Sequence, residues 1–152
     1  MSAVAARLRE LGLELPEVAK PVAAYVPAVR SGRYVHTSGQ LPFVNGELPA
    51  VGKVGAEVSL EQAVELAGLC ALNAIAALAT QVDLDDVVRI VKVVGFVASA
   101  PDFTAQPAVV NGASELLGRA FGEAGTHARS AVGVAVLPLD SPVEVELLAE
   151  VR

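Results

Sequence analysis

A chain of 152 residues that is 53% hydrophobic but only 4% aromatic, with no Trp, must build its core from Val, Leu, Ala and Ile. Its length suits one domain burying roughly two thirds of its unfolded surface, and so many small apolar residues suggest surface shared between subunits. A net charge of −6 and a pI near 4.9 argue against broad nucleic-acid binding, and a single Cys excludes an internal disulfide framework.

Residues 3–11 mix small apolar groups with Arg and Glu at helical spacing, and Gly12 can end that helix. Charges in this stretch leave no apolar run for a signal peptide. Pro16 and Pro21 bracket an extended lead-in to two expected strands, residues 22–26 and 33–38, separated by the turn-forming Ser31-Gly32. Asn45-Gly46 signals a hairpin turn, so residues 41–44 and 47–51 read as short strands. Ser59-Leu-Glu-Gln62 fits a capping box opening a long helix to about Gln81, with Ala63, Ala67, Ala71 and Ile75 on its apolar face. Glu65, Gly68 and Asn73 break that apolar stretch, which argues against a membrane span.

Residues 87–99, rich in Val, Ile and Phe, read as a central strand, and residues 107–121 as a second helix with Pro107 in its first turn. Residues 129–137 and 143–151 form the last two expected strands, joined by Pro138-Leu-Asp-Ser-Pro142. The order β-β-(β)-α-β-α-β-β predicts an α+β fold, a sheet with two helices on one face.

Arg129 is the only charge in residues 128–138, which otherwise read as a buried strand. A guanidinium there is costly unless an anion meets it, and its planar fork suits a carboxylate. Glu144 could be that partner, or a small ligand bearing an acid group. Strand alternation puts Arg129, Ala131, Gly133 and Ala135 on one face, a row of small residues with room for a packed element or a ligand. Glu144 and Glu146 share a face of the final strand. Antiparallel pairing of the two strands would set Arg129 near the distal end of the last one and Glu144 near the turn, so contact across a subunit boundary is the more natural one. A structural ion pair explains the spacing about equally well.

Thr37-Ser-Gly-Gln40, Asn111, Ala128-Arg-Ser130, Leu137-Pro138 and Val143-Glu-Val-Glu146 together resemble the reactive intermediate deaminase (Rid) family, also called the YjgF or L-PSP endoribonuclease family. The resemblance spans about residues 20–151, so residues 1–152 are taken as one such domain with residues 1–19 as a helical N-terminal extension. It implies a chorismate-mutase-like fold, a homotrimer with clefts between subunits, and hydrolysis of enamines and imines such as 2-aminoacrylate to 2-oxo acids and ammonia. By the same resemblance Arg129 grips the substrate carboxylate and Glu144 positions water. Tyr25, Ser38, Gly39 and Asn111 line the cleft, and Ala131 offers its backbone carbonyl. No metal or cofactor is implied, and a cytoplasmic location is expected. The chain departs from the family's common pattern at Ala131, often Cys, at Gly133, often Glu, and at His127, often Pro.

Two other readings stay open: a non-catalytic trimer binding small carboxylates or a protein partner, and an endoribonuclease, which the acidic pI and sparse aromatics disfavour. His127 and His36 are read as an exposed loop residue and a hydrogen-bonded strand residue, with roles at the cleft as the sharper alternatives. Cys70 reads as a buried, inert thiol. Asp83, Asp85 and Asp86 lack the spacing of a cation loop and read as a helix-capping turn.

Overall fold

Along β5 (Val143–Val151), Val143, Val145, Leu147, Ala149 and Val151 are buried, and the residues between them are half-exposed. That period of two gives the sheet one face for a core and one left open. In the computed structural model, which describes residues 2–18, 20 and 24–152, β5 is the middle of five strands. It lies between β2 (Tyr34–Thr37) and β3 (Val87–Ala98), antiparallel to both. β1 (Ala28–Ser31) pairs antiparallel with β2, and β4 (Ala128–Val134) runs parallel to β3 at the other edge. The expected α+β architecture is present, with a mixed sheet.

Two helices cover the core face. α2 (Leu60–Ala79) begins at the expected capping box, in which Ser59 Oγ accepts from the Gln62 amide and Gln62 Oε1 from the Ser59 amide. It is long and apolar enough to cross a membrane, with mean hydropathy 1.6, yet it is packed as a core helix against β5 and α3 (Gln106–Phe121). Asn73, which breaks its apolar run, donates to the carbonyls of Leu41 (2.9 Å) and Phe43 (3.1 Å) and ties down the long loop that precedes the helix. The helices touch through backbone, because a Cβ on Gly112 of α3 would overlap the Val64 carbonyl oxygen of α2.

α1 (Ala3–Glu10) packs against α3, and Arg7 Nη1 donates to the Ala120 carbonyl at 3.2 Å. The expected capping by the Asp83–Asp86 turn is observed, but it serves a helix about eighty residues away. Asp85 accepts from the Ala3 amide (3.0 Å) and the Ser2 hydroxyl (2.8 Å), and these bonds hold its carboxyl below the ordinary value. Asp83 caps the turn itself through the Asp85 amide, and Asp86 pairs with Arg152 at 3.1 Å.

Several expectations need correction. Ala24–Val26 lies outside any strand, residues 22 and 23 are outside the described residues, and the hairpin partner of β2 is instead Ala28–Ser31. Asn45-Gly46 does form a positive-φ turn, but its flanks reduce to a single bridge, Val44 to Glu47. β4 and β5 do not pair. The crossover through α3 delivers β4 parallel to β3, and the link 135–142, with Leu139 and Asp140 at positive φ, carries the chain past the end of β3 to its opposite side. β4 is therefore a partly exposed edge strand rather than a buried one.

Gly112→Ala should lower stability by about 1–3 kcal/mol, because the added methyl forces two helix backbones apart. Urea unfolding checks this, and an unchanged midpoint would contradict the close approach.

Candidate functional site

Arg129 sits across from Val93 on β3, in the row that continues to Leu147 on β5, so it shares the helix-covered face. At the sheet edge its side chain meets α3. Nη1 donates to Asn111 Oδ1 at 2.7 Å and to Ser114 Oγ at 3.2 Å, and Nη2 donates to the Pro107 carbonyl at 3.3 Å. Residues 107, 111 and 114 fall on one face of a helix, which is why one side chain can touch all three. All three acceptors are neutral. They orient the guanidinium without cancelling its charge, and among the described residues no carboxylate pairs with it. Among the described residues three of its five N–H groups are used, leaving Nε–H and one Nη2–H, the edge that suits a carboxylate.

Ala131 follows on the same face, half-buried against the core. The room expected beside Gly133 is filled: a Cβ there would press on the Gln106 side-chain nitrogen at 2.7 Å, and that amide donates to Ser99 Oγ and the Phe103 carbonyl. Ala135 lies past the end of β4. His127, expected to be exposed and idle, is half-buried, with Nε2 2.9 Å from Ser114 Oγ and Nδ1 2.6 Å from the Gly125 carbonyl.

Glu144 belongs to a second cluster. It pairs with Phe96 and shares its face with Glu146, on the side of the sheet away from α2 and α3. Its carboxylate lies against Gly39, where a Cβ would overlap Oε1. Burial first, and the Glu146 charge second, push the Glu144 carboxyl above its ordinary range. Thr37 ends β2 by accepting the Leu147 amide on its hydroxyl at 3.1 Å, and Gln40 resumes pairing with Val145, so Ser38 and Gly39 bulge out beside Glu144. Ser38 Oγ donates to the Val26 carbonyl at 2.6 Å and its amide to the Pro27 carbonyl at 2.8 Å, which holds the segment carrying Tyr25. Tyr25 is 56% exposed.

The sequence-derived residues thus form two half-sites: Asn111, Arg129 and Ala131 at one edge, and Tyr25, Ser38, Gly39 and Glu144 on the open face. Arg129 and Glu144 sit two strands and three residues apart, about 14 Å along the sheet, with side chains on opposite faces. They do not meet within one chain. Two shallow recesses flank α1, and neither includes Arg129 or Glu144. Ser114 and the Pro107 carbonyl went unnoticed in the sequence, although their spacing from Asn111 on a predicted helix was available. Cys70 is buried as expected, its thiol pushed up by burial and then by the Glu144 charge. His36 is exposed beside Tyr34 and makes no side-chain hydrogen bond among the described residues. Within those residues no three His, Cys, Asp or Glu side chains gather as metal ligands.

The family described as "YjgF/chorismate mutase-like, putative endoribonuclease" matches residues 5–151. The chain belongs to this family. Among relatives, Protein TCP17 of Trypanosoma cruzi is 45% identical, covering 98% of this chain and 94% of its own. The crystal structure of Atu1372 from Agrobacterium tumefaciens, a protein of unknown function, is 42% identical over 99% of this chain and 93% of its own, with a TM-score of 0.92. E. coli TdcF, solved with bound serine, is 29% identical over 90% of this chain and 94% of its own, with a TM-score of 0.62. Membership in the YjgF family agrees with the chorismate-mutase-like architecture expected from the motifs.

In this YjgF-family chain, Glu144 takes up a proton more readily folded than unfolded. Its ionisation therefore opposes folding: not at all below the unfolded pKa, and fully above the folded one. Relative to wild type, Glu144→Gln should leave the thermal midpoint unchanged near pH ~3.5 and raise it near pH ~7, the unfolded carboxyl titrating at about 4.3. Calorimetric scans at both pH values check the sign, and a lower midpoint at neutral pH would contradict it.

Proposed function

We propose that the protein is a homotrimeric hydrolase of reactive enamines and imines of the 2-aminoacrylate and 2-iminopropionate type, releasing 2-oxo acids and ammonia. The observation that carries this reading is the Arg129 guanidinium, oriented by three neutral acceptors with its carboxylate-binding edge unused among the described residues. The serine found in the TdcF relative is a small carboxylate of the same kind.

The two half-sites favour assembly. The open sheet face carries Val29 (53% exposed), Tyr34 and Val132 as well as Glu144 and Glu146, exposed apolar side chains that another subunit would cover. A neighbour's Glu144 half-site set against Arg129 would complete a cleft. In it, Arg129 fixes the substrate carboxylate, and water adds to the carbon of the protonated imine, its proton passing to Glu144 and the C=N electron pair to nitrogen. The Glu144 carboxyl then protonates the nitrogen of the carbinolamine. Cleavage of the C–N bond releases ammonia, which takes up the hydroxyl proton and leaves the 2-oxo acid. A carboxyl raised toward the working pH suits both transfers. Because the reaction is already spontaneous, orientation and proton transfer suffice, and the chain's own residues perform both. The single buried thiol fits a reducing cytoplasm, the location we propose.

The ribonuclease label in the family description draws less support from this chain, whose net charge is −6. A non-catalytic trimer would bind 2-oxo acids without turning over imines.

Arg129→Ala should lower kcat/KM for imines made in situ by an amino-acid oxidase by about 100-fold or more, with the fold intact. Ammonia release is the readout. Wild-type rates in the variant, or binding without turnover in the wild type, would refute the deaminase assignment.

A further inference from the structure

The two hydrogen bonds of the His127 ring have only one consistent arrangement in the neutral state. The Gly125 carbonyl can only accept, so Nδ1 carries the proton and Nε2 presents a lone pair. The Ser114 hydroxyl, 2.9 Å from Nε2, must then donate to it. With its single hydrogen committed, the Ser114 oxygen has lone pairs left for Arg129, whose Nη1 donates to it at 3.2 Å. The chain runs in one sense, from Arg129 to Ser114 to His127 to the Gly125 carbonyl. Its far end is closely packed, because Gly125 is buried and a Cβ there would overlap the Leu117 carbonyl of α3.

From this we infer that His127 is a positioning residue, which fixes the carboxylate-gripping edge of Arg129 by committing the Ser114 hydroxyl. Without the imidazole, a helical Ser hydroxyl turns to the carbonyl one turn back, here that of Val110, and its lone pairs leave the guanidinium. Asn111 and Pro107 would still hold Arg129, but in a less defined orientation. The inference deepens the proposed reading and, for its kinetic readout, rests on it.

The test is a double-mutant cycle of His127→Ala and Ser114→Ala, with His127→Gln as rescue, since a glutamine amide oxygen can reach the position of Nε2 as an acceptor. Each protein is titrated with 2-oxobutyrate by calorimetry and assayed with imines. His127→Ala should weaken 2-oxobutyrate binding and raise KM by about three- to tenfold, with kcat changed less than about twofold. The double variant should be no weaker than Ser114→Ala alone, and His127→Gln should recover most of the affinity. Additive losses, or a glutamine variant as weak as alanine, would overturn the role. A second measurement needs no substrate: NMR of the Arg129 side chain should show faster rotation of the guanidinium in His127→Ala than in wild type and His127→Gln. If the wild type neither binds the oxo acid nor hydrolyses imines, the deaminase reading fails, and this NMR comparison alone decides for or against the positioning role.

Discussion

A side chain on a β-sheet reaches one face only, and that constraint governs how this chain can do chemistry. Arg129 follows the row of Val93 and Leu147 onto the helix-covered face, where α3 receives it. Glu144 follows Phe96 onto the open face, where the Ser38-Gly39 bulge receives it. No rotamer of either residue bridges the sheet. Chemistry that needs both groups must therefore draw them from different copies, and the apolar residues exposed on the open face offer a surface on which copies can meet.

The separation is built into the connections. A parallel β3–β4 pair requires a crossover, and α3 supplies it, so the helix that delivers β4 also supplies the acceptors that orient Arg129. The link after β4 then carries the chain past β3, placing β5 between β3 and β2. Glu144 is thus set beside the end of β2, where Thr37 closes the ladder and Gly39 leaves space for its carboxylate. The close contact of α2 with α3 at Gly112 adjoins Asn111 in sequence, so helix packing and Arg129 orientation depend on the same turn of α3.

Local signals are legible in the sequence where they are self-contained. The capping box at Ser59, the alternation of residues 143–151 and the Asn45-Gly46 turn depend on neighbours a few residues away, and each is present. Strand partnership was less legible. Two expected strands joined by the short turn at residues 138–142 invite antiparallel pairing, and only the fold reveals that β3 separates them. The Asp83–Asp86 turn was recognised as a cap, but its client, α1, is set by tertiary packing. Of the candidate charged residues, Arg129 stands out because it interrupts an apolar run, whereas Glu144 fits the alternation of its strand and is marked only by the family resemblance. Ser114 and His127 interrupt nothing, and their linkage appears only when α3 and the loop before β4 come together.

The central claim, that Arg129 of one subunit works with Glu144 of another, is tested most directly by mixing two single variants. Arg129→Ala and Glu144→Gln proteins, each inactive alone, are unfolded and refolded together at equal concentration. Every mixed trimer would then hold one intact pair, so imine hydrolysis should return to about one quarter of the wild-type rate if subunits mix at random. No recovery, in a mixture shown by mass spectrometry to contain mixed trimers, would contradict the account.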